Sequence, residues 1–397
     1  MAEKLTNEQQ AAVDSRERSL LVSAAAGSGK TKVLVERLFS YVEREGANLD
    51  DFLIITYTRA AASELRGKIA KALTERMERD PGNYHLRQQM LRVYRADIKT
   101  VDAFCTALLR ENCHLLGEDA RGHALRPDFR VLDENEAQVL RERVLARTLD
   151  DFYGRLTTGG TLLADTLGAG RDDSALEDLV LELHAKLQAQ PYEDKWLEAQ
   201  RAFWRAVPDK IEDTPYGKIL LNEVRRKARH CKNLLQRAAQ EMCANDALNQ
   251  KYAPAFLDAS YQLEALEGKT AEGWDAARGV TIAFPRLAAV KDSDGGEMKA
   301  RMKSLWDNCK ETVKGFAEIF SASSDEAVED LRTMASAMLA LIDLTADFSR
   351  RYNEEKRRRN SADFSDQEHE AIRLLIGEDG APTELARIVS ARYREIM

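Results

Sequence analysis

The chain has 397 residues and a formal net charge of −8, which does not mark it as a protein that coats nucleic acid, although an acidic protein can bind DNA in a basic groove. Five scattered cysteines without CxxC pairs argue against a disulfide framework or a zinc site. The polar N-terminus and the lack of a long apolar run exclude a signal peptide and a membrane span, so we expect a soluble, cytoplasmic protein.

The first 130 residues alternate short apolar runs with helical patterns. LLVSA (Leu20–Ala24) and FLIIT (Phe52–Thr56) are continuous apolar runs, which are typical of strands buried on both faces of a parallel sheet. The apolar spacing over 31–44 predicts a helix between them, so the three elements predict a right-handed βαβ unit. A third extended piece, Asp97–Asp102, leads into another helical pattern.

From residue 131 to 360 the pattern is that of amphipathic helices, with one weak strand signal at 279–284. Linker-like breaks occur at 157–160, 168–173 and 292–296. We therefore predict three segments: the first part of an α/β domain (1–130), an inserted α-helical domain (131–360), and a return to the α/β domain (361–397).

The returning segment carries a helix start and the beginning of a strand. Ser365 precedes Glu368 by three residues, the spacing of a capping box. Ile396 and Met397 resemble the first residues of a strand.

The stretch AAAGSGKT is the clearest chemical motif. It follows the first apolar run and precedes the first helix, and it fits the phosphate-loop pattern except that alanine replaces the first glycine. Small residues let backbone amides approach phosphate oxygens, and the helix N-terminus adds a positive end. Lysine would reach the β- and γ-phosphates and threonine would ligate Mg²⁺. The predicted ATP and Mg²⁺ site therefore consists of Ala24, Ala25, Ala26, Gly27, Ser28, Gly29, Lys30 and Thr31, with Lys30 and Thr31 as its catalytic residues and Thr31 as the metal ligand.

Hydrolysis of a nucleoside triphosphate also needs a carboxylate at the end of a strand. RVLDEN (130–135) is a superficial match, but it opens the helical region and its apolar run is short. ADFSD (362–366) has no apolar strand before it. Neither segment is a convincing metal site, so the sequence predicts nucleotide binding without a complete hydrolytic site.

Several motifs together resemble superfamily 1, UvrD-like DNA helicases. They are LTNEQQAAV (5–13), AAAGSGKT (24–31), IITYTRAAASELRGKI (54–69) and IKTVDAFC (98–105), in the order and spacing of that group. RPDFRVLDENEA (126–137), LVLELHAKLQAQPYEDKWL (179–197) and ADFSDQEHEAIRLL (362–375) resemble the AddA-type, RecB-related helicase–nuclease. This resemblance implies a RecA-like phosphate-loop domain that is incomplete at its C-terminal end and cut just before the Walker B strand.

The resemblance also implies roles for residues outside the phosphate loop. Gln9 would read adenine, because an amide donates and accepts at once. The implied nucleic-acid contacts follow the second and third extended segments: Tyr57, Thr58, Arg59, Thr100 and Phe104. Tyr57 and Arg59 replace the usual phenylalanine and asparagine, and Asp102 replaces a usual histidine. The alternative for both segments is a packed or capped strand-to-helix turn.

The resemblance implies the N-terminal ATP-binding portion of a helicase/nuclease subunit that acts in double-strand break repair and recombination. Implied partners are single-stranded and duplex-end DNA and an AddB-like nuclease, without a membrane. The full-length protein would be an ATP-dependent DNA helicase with exonuclease activity, and this portion alone would hydrolyse little ATP. A non-helicase phosphate-loop NTPase and a DNA-binding scaffold with a vestigial loop remain alternatives.

Overall fold

The computed structural model describes residues 5–17, 19–118, 121–167, 174–291 and 296–397. Within them the protein is a mostly helical α/β chain with small parallel sheets. It divides into two compact units, the first formed by Met1–Thr148 and Phe348–Met397 and the second by Leu149–Asp347. The second unit lies inside the 131–360 range expected for the inserted domain, and the assignment of three segments stays a prediction. The sequence breaks at 168–173 and, except for Gly296, at 292–296 lie outside the described residues.

The bounds of the regular elements follow the chain order. The helices are α1 (Asn7–Asp14), α2 (Lys30–Glu45), α3 (Arg59–Arg79), α4 (Tyr84–Arg92), α5 (Val101–Asn112), α6 (Glu134–Tyr153), α7 (Thr158–Leu167), α8 (Ser174–Gln188), α9 (Glu193–Arg205), α10 (Pro215–Met242), α11 (Asp246–Lys251), α12 (Ala253–Lys269), α13 (Trp274–Arg278), α14 (Gly296–Ile319), α15 (Ser324–Arg358), α16 (Phe364–Leu375) and α17 (Glu384–Ser390). The strands are β1 (Phe52–Thr56), β2 (Asp97–Thr100), β3 (Arg130–Val131), β4 (Ser361–Ala362) and β5 (Glu395–Ile396). Short 3-10 turns occur at Leu49–Asp51, Cys113–Leu115 and Ile211–Asp213.

The first unit is built on a parallel sheet with the strand order β2-β1-β5. Thr56 of β1 pairs with Thr100 of β2, and Phe52 pairs with Glu395 of β5. Strand β1 is buried at its centre, and its apolar side chains pack with those of α2 and α3. The predicted strand at Phe52–Thr56, the helix over 31–44, and the strand start at the end of the chain are confirmed.

The predicted strand Leu20–Ala24 is wrong. These residues form no strand, and the side chain of Leu21 is 93% exposed. A strand needs a neighbour to pair with its backbone groups. Both edges of β1 are occupied, by β2 and β5, and residues 20–24 join no ladder within the described part of the chain.

A second, two-stranded parallel ladder joins β3 to β4, and α16 begins directly after β4. The N-cap of α16 is Asp363, which forms a capping box with Asp366. The capping box expected at Ser365 is therefore wrong, because Asp363 accepts a hydrogen bond from the amide of Asp366 at 2.9 Å and starts the helix two residues earlier.

A buried ionic cluster holds the end of α15 to the start of α16. The ammonium group of Lys356, only 1% exposed, donates to Asp363 Oδ2 at 2.9 Å and to Asp366 Oδ1 at 2.7 Å. Tyr352 donates to the same Asp363 oxygen at 3.0 Å. Hydrogen bonds and the Lys356 charge hold the pKa of Asp363 at about 2 although burial opposes this, and burial also raises the pKa of Tyr352 above its ordinary value. Each charge in this cluster thus has an opposite charge or a donor beside it.

The second unit is helical, and its core lies between α10, α12 and α14. Val224, Phe256 and Trp306 are buried there, and the rings of Phe256 and Trp306 stack at 4.8 Å. The weak strand signal at 279–284 is wrong, because those residues form no strand. Among the described residues, no helix is both long enough and apolar enough to cross a membrane.

Candidate nucleotide site and nucleic-acid interface

The phosphate-loop motif forms an exposed turn that ends in α2. Gly27 and Gly29 adopt φ values of +79° and +83°, which L side chains rarely tolerate. Gly29 is the N-cap of α2 and provides no side-chain cap, so the first amides of the helix face outward without a side-chain acceptor from the cap position. A turn with this conformation fits a triphosphate because nothing larger than a methyl group lines residues 24–27.

The Lys30 side chain folds back over the loop. Its ammonium group donates to the carbonyl oxygens of Ala24 at 2.7 Å and of Ala25 at 2.8 Å. Neutral carbonyls are weaker partners for an ammonium group than phosphate oxygens are. These contacts therefore hold the lysine at the loop in a form that a phosphate can displace. Thr31, the second residue of α2, is exposed.

Gln9 lies against the phosphate loop. Its Nε2 donates to the Ser28 carbonyl at 3.0 Å, and its Oε1 accepts from the amide of Thr6 at 3.0 Å. A Cβ added at Gly29 would lie 3.2 Å from Gln9 Nε2, so the approach of Gln9 also requires a glycine there. The sequence analysis missed Thr6, which caps α1, although the Thr-x-x-Gln spacing is a capping-box signal.

Arg37 is a second residue that sequence reasoning missed. This buried side chain of α2 donates to the carbonyls of Ala12 at 2.7 Å and Ser15 at 2.6 Å, at the end of α1. It also pairs with Glu395 of β5 at 2.8 Å. Arg37 thereby ties α1, which carries Gln9, to the helix that follows the loop and to the sheet. An arginine on the otherwise apolar face of a predicted helix is the only sequence signal for this role.

The predicted nucleic-acid residues lie at the carboxyl ends of β1 and β2. Because the two strands are parallel and in register at Thr56 and Thr100, both segments reach the same edge of the sheet. Tyr57 is 97% exposed, and Arg59 is exposed at the start of α3. An exposed aromatic ring beside a cation suits a single strand of nucleic acid.

The other three predicted contacts have structural partners. Thr58 caps α3 by accepting from the amide of Ala61, and Thr100 caps α5 by accepting from the amide of Ala103. Phe104 packs against the apolar cluster of α5 and α16. These are the packed and capped roles considered for the two segments, and contact of these residues with DNA stays a prediction.

Neither acidic segment considered as a metal site is free for that role. Asp133 accepts from the amide of Glu136 at 2.9 Å, at the start of α6, and Asp363 belongs to the cluster with Lys356. The described residues contain no group of three or more histidine, cysteine, aspartate or glutamate side chains that could hold a metal ion. Binding of Mg²⁺ by Thr31 stays a prediction.

Comparison with known proteins identifies the family. The sequence matches the UvrD/REP helicase N-terminal domain over residues 5–397. The chain belongs to this family. The expectation of a UvrD-like protein is thereby confirmed.

Several curated relatives are named as ATP-dependent helicase/nuclease subunits of the AddA type. The chain is 31% identical to that of Ruminiclostridium cellulolyticum, with 99% of this chain and 32% of the relative covered. It is 33% identical to that of Lachnoclostridium phytofermentans, with 98% and 29% covered, and 35% identical to that of Desulfitobacterium hafniense, with 99% and 29% covered. The chain thus spans about a third of the length of these relatives.

Proposed function

We propose that this chain is the ATP-binding portion of a DNA helicase/nuclease of the AddA type, built on a RecA-like phosphate-loop domain. The observation that carries the proposal is the exposed turn at 24–29, in which two left-handed glycines lead into an uncapped helix N-terminus and a lysine lies over the loop. The family match and the names of the relatives support the same function.

The amides of the loop and of the first turn of α2 would bind the phosphates. The Lys30 ammonium group would exchange the carbonyls of Ala24 and Ala25 for β- and γ-phosphate oxygens. Thr31 would hold Mg²⁺, which would neutralise charge on the phosphates. Gln9 would contact the adenine base.

Little hydrolysis is expected from this chain. A water molecule that attacks the γ-phosphate needs a carboxylate to orient it and another to hold the metal. The two acidic segments that resemble such a site are engaged elsewhere, Asp133 as a helix cap and Asp363 in the ion pair with Lys356. Binding without rapid turnover is therefore the expected behaviour.

For the longer protein we propose ATP-driven movement on single-stranded DNA and unwinding of duplex ends in double-strand break repair, in complex with an AddB-like nuclease. Tyr57 and Arg59, exposed at the carboxyl edge of the sheet, would contribute DNA contacts from this chain. Thr58, Thr100 and Phe104 would shape the same edge.

The lysine of the loop provides the first test. Lys30→Ala should weaken binding of Mg·ATP by about ten- to one-hundred-fold, because a charge-assisted hydrogen bond contributes roughly 1.5–3 kcal/mol. Fluorescent-nucleotide displacement measures this, and Lys71→Ala, which removes an exposed charge from α3, is the matched control. Equal affinities of the two variants and the unsubstituted chain would favour a scaffold with a vestigial loop.

DNA contact is tested with the exposed tyrosines. Tyr57→Ala should weaken binding of a fluorescein-labelled oligothymidine by about five- to one-hundred-fold, since stacking on a base contributes roughly 1–3 kcal/mol. Tyr84→Ala is the control, because Tyr84 is also exposed but lies on α4. Equal losses in both variants would contradict a specific role for the carboxyl edge.

A further inference from the structure

The Gln9 amide is held from two sides. Oε1 accepts the Thr6 amide hydrogen and Nε2 donates to the Ser28 carbonyl, each at 3.0 Å. Exchanging the two ends of the side-chain amide would place a donor against the Thr6 donor and an acceptor against the Ser28 acceptor. The two bonds therefore fix the orientation of the amide.

The second bond acts on a peptide group of the phosphate loop. The Ser28 carbonyl and the Gly29 N–H belong to the same planar, trans peptide, so they point in opposite directions. When Gln9 holds the carbonyl, it also sets the direction of the Gly29 amide. Gly27 and Gly29 flank this peptide with positive φ values, and a chain at two such glycines has much freedom to rotate.

We propose that Gln9 is a positioning residue for the phosphate loop, which holds the Ser28–Gly29 peptide in its phosphate-binding orientation independently of any base. The inference deepens the proposed function and depends on it. Its physical basis is preorganisation, because a loop that is already oriented loses less conformational entropy when the ligand binds.

The same side chain can still contact a base. A glutamine amide has two N–H donors and two acceptor sites on its oxygen. The structure uses one donor for Ser28 and one acceptor site for Thr6, which leaves one of each. Positioning of the loop and recognition of adenine therefore do not compete for the same atoms, and each can be measured separately.

A ligand with phosphates and no base separates the two roles. Binding of Mg·ATP and of Mg·tripolyphosphate is measured by calorimetry for the unsubstituted chain and for Gln9→Ala. We expect Gln9→Ala to weaken tripolyphosphate binding by about two- to ten-fold, as for the loss of one hydrogen bond, and ATP binding at least as much. A loss of ATP affinity with tripolyphosphate affinity unchanged would overturn the inference, because Gln9 would then act only on the base.

Two control variants test whether any effect passes through helix α1. Gln10→Ala removes a neighbouring amide that bonds only to Asp14 among the contacts of the described chain, and Thr6→Ala removes the hydroxyl cap of α1 without removing the Gln9 amide. Both should bind tripolyphosphate like the unsubstituted chain. If Thr6→Ala weakened it as much as Gln9→Ala, the effect would come from the helix and the inference would be wrong. If the folded, unsubstituted chain bound neither ligand, the proposed function itself would be contradicted.

Discussion

Two lysines of the first unit show how differently the chain uses one side chain. Lys30 is exposed and donates to two neutral carbonyls of its own loop, at 2.7 and 2.8 Å. Lys356 is buried and donates to two carboxylates, at 2.9 and 2.7 Å. A phosphate can replace the partners of Lys30, whereas removal of either partner of Lys356 would leave a buried charge uncompensated.

This difference separates residues that serve binding from residues that serve the fold. The phosphate loop holds its lysine by contacts that a stronger acceptor can displace. The cluster around Lys356 joins α15 to α16 and gives its charges little access to solvent. Changes at the cluster should therefore appear mainly in the free energy of unfolding, and changes at the loop mainly in nucleotide affinity.

The largest expected effect concerns the cluster. Lys356→Ala should lower the free energy of unfolding by about 3–5 kcal/mol, because it strands the carboxylates of Asp363 and Asp366 in a buried site. Urea denaturation followed by circular dichroism measures the loss. Arg358→Ala is the control, since Arg358 is mostly exposed and pairs with Glu355, and it should cost less than about 1 kcal/mol. Equal costs in both variants would break the contrast between the two lysines.

The next effect concerns the glycine before Lys30. Gly29→Ala should lower the free energy of unfolding by about 1–2 kcal/mol, because a left-handed φ strains an L side chain, and it should weaken ATP binding. Gly67→Ala is the matched control: it lies inside α3, an added Cβ would meet nothing within 4 Å, and it should stabilise the protein by about 0.5–1 kcal/mol. Opposite signs in thermal unfolding support the observed loop conformation, and equal signs contradict it.

The smallest effect concerns Glu355, one residue before Lys356. Hydrogen bonds from Arg358, with help from Arg359 and against partial burial, lower the pKa of Glu355 from 4.5 to about 2. A carboxyl with a lowered pKa stabilises the fold fully above its unfolded value, and this contribution disappears as the pH falls from about 4.5 towards 2. Glu355→Gln should therefore be less stable than the unsubstituted chain at pH 6, by less than about 1 kcal/mol. The difference should disappear near pH 2, and a difference that grew as the pH fell would contradict the assignment.

Local signals in the sequence predicted part of the fold. Helix α2 and strand β1 followed from apolar spacing, and the turn between residues 24 and 31 followed from its small residues. Residues 20–24 have an equally clear strand pattern, but strand formation depends on a neighbour that local sequence does not reveal. Similarly, Ser365 has the correct spacing for a cap, and Asp363 takes that role because Lys356 and Tyr352 hold it in place.

The candidate site divides in the same way. The residues of the phosphate loop could be identified from their order alone. The bond from Gln9 to Ser28 joins positions 19 residues apart, and the contacts of Arg37 with α1 and β5 join three elements. Such contacts depend on how the helices pack, so no spacing in the sequence predicts them.

Calorimetric titration of the folded chain with Mg·ATP tests the central claim most directly, namely that the loop between Ala24 and Thr31 binds a triphosphate. We predict saturable heat at one site per chain, greatly reduced by Lys30→Ala and retained by Lys71→Ala. An unsubstituted chain that showed a cooperative unfolding transition and yet released no heat with Mg·ATP would contradict the account.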